Sequence, residues 1–174
     1  MLSIAICDDD IQLTGSMERL VEKIAKRNFV DTDIEVFWDG KSLADAVIAG
    51  NRFDIIYLDI EMSGEDGISA AKRIRQYDKN ALIIYVTSHE NHMKESFDVR
   101  PFQFLVKPVN EEQMEICFKA AYEDINSGDF YFRYSYQRMN HKVPVRDILY
   151  FESKKRKVFI VTEKETFELY GKLN

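Results

Sequence analysis

The residues of this sequence with the clearest chemical potential are carboxylates that follow short apolar runs. Leu2–Cys7 leads into Asp8 and Asp9, and Phe53–Leu58 leads into Asp59. Clustered carboxylates repel one another unless a cation neutralises them, and Mg²⁺ binds one or two carboxylates together with water and phosphate oxygens. Beside a metal, one carboxylate can act as a nucleophile and form an aspartyl-phosphate. These carboxylates therefore predict a metal-assisted phosphoryl site, provided that the fold brings them together.

Two further apolar runs end in polar residues that complement such a site. Ala81–Val86 is followed by Thr87 and Ser88, and Phe102–Val106 is followed by Lys107. A hydroxyl can hydrogen-bond a phosphoryl oxygen, and a lysine ammonium supplies a positive charge to another. Ligand sites of open α/β sheets lie outside the carboxyl ends of the strands, where these groups would converge. The simpler alternative for any single strand-end residue is that it only caps a turn.

The elements that must position these residues alternate between strand and helix. Short apolar runs bounded by turn residues predict buried strands, and apolar residues at helical spacing predict the helices between them. The predicted strands are Leu2–Cys7, Ile34–Trp38, Phe53–Leu58, Ala81–Val86 and Phe102–Val106. The first predicted helix has Asp10 as its expected N-cap and ends at about Asn28. The other predicted helices are Gly40–Ile48, a helix from Gly67 past Ile74, a helix around His89–Asp98, and a helix over about Glu111–Ile125. This alternation is typical of an α/β fold, a doubly wound parallel sheet covered on both faces.

The first helix carries the clearest apolar periodicity. Its apolar residues are Ile11, Leu13, Met17, Leu20, Val21 and Ile24. We expect this face to pack on the sheet.

A second region begins after the turn-rich segment 126–129, which we interpret as a linker after a first domain of residues 1–125. Residues 130–174 switch to a period of two and predict a short all-β region. The predicted strands there are Phe130–Tyr136, Ile148–Glu152, Lys157–Thr162 and Thr166–Tyr170. This region is small for an independent core, so we expect it to be an incomplete domain.

Composition limits the classes of protein. The net charge of −6 argues against nucleic-acid binding by the whole chain, although a local basic patch remains possible. No apolar run is long enough for a membrane span, and Met1–Cys7 lacks the features of a signal peptide. Cys7 and Cys117 lie within apolar patterns, which favours buried reduced thiols and a cytoplasmic location.

Up to about residue 125, the chain resembles a receiver domain of bacterial two-component response regulators. The resemblance rests on Asp8-Asp9, Asp59, the segment Met62–Gly67, Thr87 and Lys107-Pro108, each after its expected strand. It implies a flavodoxin-like sheet of order 2-1-3-4-5. It also implies a signalling protein rather than an enzyme, which accepts a phosphoryl group from a sensor histidine kinase.

The resemblance also implies roles for individual residues. The phosphoacceptor is Asp59, and the expected ligands of Mg²⁺ are Asp8, Asp9, Asp59 and the backbone carbonyl of Glu61. The phosphoryl group is expected to contact Thr87, Ser88 and Lys107. The aromatic switch position is Phe104. In this family, residues in the positions of Glu61 and His89 border the route of the attacking water and tune phosphoryl lifetime. Simple core packing is the alternative for Phe104.

Two departures from the family pattern concern the loop and the switch. Ser63 stands where the family often has proline, and this predicts a looser loop. Phe104 replaces the commoner tyrosine, so the switch ring has no hydroxyl to hydrogen-bond.

We expect phosphorylation to promote a homodimer through the fourth helix, the fifth strand and the fifth helix.

The second region resembles the first half of a LytTR-type DNA-binding domain. The resemblance rests on Asp147–Ser153, a basic run, an alternating strand and Phe167–Leu173. The basic run, expected to contact DNA phosphates, is Lys154, Lys155, Arg156 and Lys157. A solvated hairpin turn is the alternative for this run.

Three functions are compatible with the sequence. The first is a response regulator that switches a DNA-binding output to control transcription. The second is a receiver that acts through protein binding without DNA. The third, a Mg²⁺-dependent phosphohydrolase, ranks low because such enzymes normally place a second catalytic Asp two residues after the nucleophile, where Glu61 stands.

Overall fold

The structure is a computed structural model that describes residues 1–88, 97–127, 131–136, 139–154, 157–163 and 165–170. The chain forms two compact units, Met1–Asn126 and Ser127–Asn174. The division lies beside the turn-rich segment 126–129, and the domain limits deduced from the sequence stay a prediction. Within the described residues, no helix is long and apolar enough to span a bilayer.

A five-stranded parallel sheet forms the centre of the first unit. Its strands are β1 (Leu2–Cys7), β2 (Thr32–Phe37), β3 (Ile55–Asp59), β4 (Leu82–Thr87) and β5 (Gln103–Val106). Their order is β2-β1-β3-β4-β5, and every neighbouring pair is parallel. The described helices are α1 (Ile11–Arg27), α2 (Gly40–Ile48), α3 (Gly67–Tyr77) and α4 (Glu111–Ser127). The predicted fold class and sheet order are therefore confirmed.

The helix predicted around His89–Asp98 falls mainly on residues 89–96, which lie outside the described residues. The described end of that segment is a short 3₁₀ helix, Phe97–Val99. The helix α4 (Glu111–Ser127) therefore corresponds to the fifth helix predicted from the sequence.

Side-chain caps explain where three helices begin. The Asp10 carboxylate accepts hydrogen bonds from the amides of Gln12 and Leu13, as expected of the predicted N-cap of α1. Asp39 and Asp66 start α2 and α3 in the same way, accepting from the amides three residues later. These carboxylates satisfy amides that the first helical turn leaves without partners.

Strand β3 is buried on both faces, so its alternating side chains enter two separate cores. Ile56 and Leu58 pack in one core with α2 and α3, whereas Ile55 and Tyr57 pack in the other with α1 and α4. Cys7 lies in the first core and Cys117 in the second, and both thiols are free. The predicted buried reduced cysteines are confirmed.

The predicted apolar face of α1 is correct except at its first residue. Met17, Val21 and Ile24 are buried, but Ile11 is 72% exposed. Ile11 directly follows the N-cap, where the helix has only begun to approach the sheet. The periodicity therefore identifies the helix correctly and misplaces one terminal side chain.

The second unit contains two antiparallel sheets. One pairs β6 (Tyr131–Tyr136) with β7 (Met139–Pro144), and the other has the order β10-β9-β8. The three strands of the latter are β8 (Ile148–Lys154), β9 (Lys157–Thr162) and β10 (Thr166–Tyr170). Strand β7 was missed from the sequence because its polar residues and final proline do not alternate like a half-buried strand.

Candidate functional site

The carboxyl ends of β1 and β3 bring three carboxylates together. Asp59 is the last residue of β3, and Asp8 follows β1, whose Cys7 pairs with Leu58 in the sheet. One carboxylate oxygen each from Asp8, Asp9 and Asp59 lies within 4.8 Å of the others. Asp8 and Asp59 are buried, whereas Asp9 is exposed. The structure therefore places the three predicted carboxylates close together, while their role stays a prediction.

Lys107 supplies a positive charge between the two buried carboxylates. Its Nζ lies 2.7 Å from Asp8 Oδ2 and 2.9 Å from Asp59 Oδ2, and its side chain is only 17% exposed. The residue follows β5, and its amide donates to the carbonyl oxygen of Thr87 at 2.9 Å. The Lys107–Pro108 peptide bond is cis. One ammonium therefore contacts both of the buried acids.

For both Asp59 and Lys107, burial and ion pairing shift the pKa in opposite directions. Burial raises the pKa of the Asp59 carboxyl, and the nearby Asp8 raises it further, while Lys107 opposes both effects. Burial would lower the pKa of Lys107, but its hydrogen bonds to Asp8 and Asp59 outweigh burial and raise it. Lys107 is thus held as a cation. Three carboxylates facing one cation still favour a further positive charge at the site.

The exposed carboxylate Asp9 is held by the loop after β3. Its Oδ2 accepts a hydrogen bond of 2.8 Å from the amide of Ser63, which lowers the pKa of the Asp9 carboxyl. Proline, which the family often has in this position, has no amide proton to donate. The sequence suggested that Ser63 loosens this loop, but the structure shows that Ser63 ties the loop to Asp9.

The absence of a side chain at Gly67 allows the start of α3 to pack against the backbone of Asp59. A Cβ added at Gly67 would lie 1.9 Å from the carbonyl oxygen of Asp59, and the Gly67 amide donates to the carbonyl of Ile60 at 2.9 Å. Gly67 was predicted from the sequence as the start of α3. Its contact with the backbone of Asp59 was missed, because a close approach between two distant segments leaves no periodic pattern.

The remaining predicted phosphoryl-site residues lie along the same edge or beside it. Thr87 is fully buried at the end of β4, and Ser88 after it is exposed. Glu61 is exposed, and its amide donates to Asp59 Oδ1 at 3.3 Å. His89 lies outside the described residues.

Phe104 stacks on the neighbouring strand. Its ring centroid lies 5.5 Å from that of Tyr85, with 25° between the ring planes, and the two residues pair across β4 and β5. Tyr85 is fully buried, and its hydroxyl has no hydrogen-bond partner in the described part of the chain. The packing of Phe104 is thus visible, while its role as a switch stays a prediction.

The predicted DNA-contacting run begins at the last residue of β8 and ends at the first residue of β9. Lys154 ends β8 and pairs in register with Lys157, which begins β9. Lys157 Nζ forms an ion pair of 2.6 Å with Glu168 Oε1 on β10, so this cation already has an acidic partner. Lys155 and Arg156 lie outside the described residues. The DNA role of all four residues stays a prediction.

Comparison with known families matches both parts of the chain. Residues 4–118 match the sequence model of the response regulator receiver domain. Residues 138–174 match that of the LytTr DNA-binding domain.

Individual relatives agree with these matches. The transcriptional regulatory protein YpdB of Escherichia coli is 23% identical over 180 residues, which cover 95% of this chain and 71% of YpdB. The sensory transduction protein LytT of Bacillus subtilis is 26% identical over 126 residues, which cover 72% of this chain and 50% of LytT. A two-component response regulator structure from Clostridium difficile has a TM-score of 0.62 at 23% identity and covers 72% of this chain and 99% of its own, which supports the fold.

Proposed function

The chain belongs to the response regulator receiver domain family, and from this membership and the acidic site we propose that Asp59 accepts a phosphoryl group from a sensor histidine kinase. The observation that carries the proposal is the position of Asp59. Its carboxylate ends the buried central strand, 2.9 Å from the Lys107 ammonium and among two further carboxylates. A receiver of this kind is a signalling protein, and its phosphotransfer and slow dephosphorylation are self-catalysed.

The residues present fit Mg²⁺. Three carboxylates with oxygens within 4.8 Å of one another, two of them buried, form the oxygen-rich donor set that this ion prefers. We propose that Asp8, Asp9, Asp59 and the backbone carbonyl of Glu61 hold the ion. When bound, Mg²⁺ would neutralise the clustered carboxylates and offset charge on the oxygens of the transferred group.

The phosphotransfer step is a substitution at phosphorus. An Asp59 carboxylate oxygen forms a bond to phosphorus while the bond to the kinase histidine nitrogen breaks, and the leaving imidazole keeps that electron pair and takes up a proton. Lys107 stays protonated and contacts a phosphoryl oxygen, which a positioned cation can do without moving a proton. Thr87 and Ser88 donate hydroxyl hydrogen bonds to the remaining oxygens.

We propose that Thr87 and Phe104 convert phosphorylation into a change of surface. A phosphoryl group on Asp59 would draw the Thr87 hydroxyl inward, and the space vacated would admit the Phe104 ring. The phosphoryl group shifts this equilibrium only by the difference in its interactions with the two states. Glu61 and His89 border the route of the attacking water and thereby set how long the phosphoryl group remains.

The output we propose is DNA binding by the second unit. Support comes from the LytTr match over residues 138–174 and from the basic sequence that links β8 to β9. The alternative output, protein binding without DNA, is favoured by Leu149 and Tyr150 on β8, which are 57% and 56% exposed. The cytoplasmic location expected from the reduced cysteines stays a prediction.

Acetyl phosphate and Mg²⁺ test the phosphoacceptor. We expect the parent protein to gain one phosphoryl group by intact-mass measurement and Asp59→Asn to gain none. Asp54→Asn is the matched control, because Asp54 lies just before the opposite end of β3 and should leave phosphorylation unchanged. Phosphorylation of Asp59→Asn at the parent's rate would assign the phosphoryl group to another residue.

Fluorescence anisotropy with labelled duplex DNA tests the output. We expect this chain to bind at low ionic strength with little sequence preference, because a short basic run neutralises only a few phosphates. Lys155→Ala combined with Arg156→Ala should remove most of the binding, whereas Lys26→Ala with Lys72→Ala, an equal charge change on exposed helix residues, should not. Binding that is insensitive to the first pair would place the DNA contacts on other residues, and no binding even at low ionic strength would favour the protein-binding alternative.

A further inference from the structure

A cavity lies at the edge of the sheet opposite the acidic site. Leu82, the first residue of β4, and Phe102, which precedes β5, form part of its wall. Thr87 and Lys107 mark the other ends of these same two strands. The cavity has a volume of about 580 Å³, which is within the range of sites for small molecules.

The wall of this cavity is positively charged although the chain has a net charge of −6. It contains the three cationic residues Arg75, Lys79 and Arg100 and one carboxylate, that of Asp98. Among the described residues, none of the three cations forms an ion pair. Elsewhere in the first unit, Lys41 and Arg73 both have an acidic partner, Asp45, whereas the isolated exposed residues Lys26 and Lys72 form no ion pair with a described residue. The residues that line the cavity therefore carry a net charge of about +2.

Arg75 is the least solvated of these cations. Its guanidinium donates to the carbonyl oxygens of Val99 and Ala81, both at 2.7 Å, and burial lowers its pKa. Carbonyl oxygens satisfy its N–H groups, and the Asp78 carboxylate opposes the effect of burial on its pKa without forming an ion pair with it. Charges removed from water are normally paired, so an anion in the cavity would complete this arrangement.

We propose that this cavity binds a small phosphate monoester. A phosphate monoester carries close to two negative charges at neutral pH, which matches the excess charge of the wall. Its three terminal oxygens can accept from three separate cations, whereas a simple carboxylate offers only two oxygens. The cavity is larger than a phosphate group requires, and Leu82 and Phe102 give an apolar surface for the organic part of the ligand. The proposal does not depend on phosphorylation of Asp59.

Titration with three probe compounds tests the ligand class. Phenyl phosphate, inorganic phosphate and benzoate are added separately at low ionic strength without Mg²⁺, so that the acidic site repels them. Amide chemical shifts and calorimetry report binding. We expect saturable binding of phenyl phosphate, weaker binding of inorganic phosphate and the weakest binding of benzoate, with the largest shifts in residues 79–82 and 98–102. No saturable binding of phenyl phosphate, or shifts centred elsewhere, would overturn the proposal.

Charge-matched variants separate a specific site from general attraction. Lys79→Gln with Arg100→Gln removes two exposed cations of the cavity, and Lys26→Gln with Lys72→Gln removes two exposed cations outside it. We expect the first pair to weaken phenyl phosphate binding by about tenfold or more and the second pair to leave it nearly unchanged. The single variant Arg100→Gln should give an intermediate loss, which keeps the test valid if the double variant folds poorly. Equal effects of the two pairs would reduce the binding to non-specific electrostatics and refute the site.

Discussion

Gly67 shows how a single residue without a side chain can define a site. Its Cα faces the backbone carbonyl of Asp59 so closely that a Cβ would lie 1.9 Å from that oxygen. We expect Gly67→Ala to lower the free energy of unfolding by more than about 2 kcal/mol, because the backbones of α3 and β3 must separate. Urea unfolding followed by circular dichroism measures this change.

The control for this variant is Gly15→Ala in the middle of α1. A Cβ at Gly15 meets only the flexible end of Arg19, at 3.5 Å. Alanine is the better helix former, so this change should raise stability by up to about 1 kcal/mol. If Gly67→Ala proved as stable as the parent, the close approach would not constrain Asp59.

Asp9 and Asp10 are adjacent acidic residues with different expected roles. Asp10 caps α1, whereas Asp9 faces the other two carboxylates of the site. We expect Asp9→Asn to weaken Mg²⁺ binding by about tenfold or more, since a charged ligand is lost. Asp10→Asn has the same charge change and keeps a good N-cap, so it should bind Mg²⁺ like the parent. Calorimetric titration that found no difference between the two variants would place the ion elsewhere.

The sequence was sufficient to predict which charged residues meet, but not how the backbone holds them. Asp8, Asp59 and Lys107 could be placed together because each follows a strand of one parallel sheet, and parallel strands end at a common edge. The amide of Ser63 on Asp9 could not be foreseen, because it depends on the path of an irregular loop. Phe104 was identified, but its stacking on Tyr85 depends on strand register.

At the scale of elements, Arg75 joins the end of α3 to the segment that precedes β5. The backbone carbonyls of Val99, the last residue of the 3₁₀ helix, and of Ala81, just before β4, both accept hydrogen bonds from its guanidinium. We expect Arg75→Met to cost about 2 kcal/mol of stability, because these carbonyls lose their donor. Hydrogen exchange of residues 98–102 should also accelerate.

The matched control is Lys72→Met, on an exposed position of the same helix. It makes a similar change in charge and volume without removing a backbone partner, and surface changes of this kind usually have small effects. Equal losses in the two variants would mean that charge, rather than the link to Val99 and Ala81, sets the stability of this segment.

The regular elements were predictable where local signals agreed. Asp10, Asp39 and Asp66 each precede an apolar helical pattern, and all three cap helices in the structure. The prediction of strand β7 failed because it is stabilised by pairing with β6, and its own residues alternate poorly. Tertiary pairing thus overrode local preference there.

At the scale of the whole molecule, we expect phosphorylation to change the state of association. The face predicted to pair contains β5 and the helix α4, on which Ile116 is an apolar side chain with 59% exposure. Beryllofluoride, a phosphoryl mimic, should shift the protein from monomer towards dimer, because the dimer-forming surface is favoured when Asp59 is occupied. Sedimentation equilibrium over a wide concentration range measures the molecular weight.

Two variants define the surface involved. Ile116→Asp should weaken the beryllofluoride-dependent dimer, whereas Tyr77→Asp, at a similarly exposed apolar position of α3, should leave it intact. Asp59→Asn should not respond to the mimic. A molecular weight that stays constant in the parent protein would contradict phosphorylation-dependent association.

Trp38 gives the protein a built-in optical probe. It is the single tryptophan of the chain, it is 55% exposed, and it follows Phe37, whose carbonyl accepts a hydrogen bond of 3.1 Å from the amide of Asp8. The indole is thus attached to the strand next to the carboxylate cluster, while the other aromatic residues are tyrosine and phenylalanine. Excitation selective for tryptophan will therefore report on this edge of the sheet alone. We therefore expect changes in the charge of the cluster to alter the emission of the unmodified chain, so that they can be followed in real time without an added fluorophore.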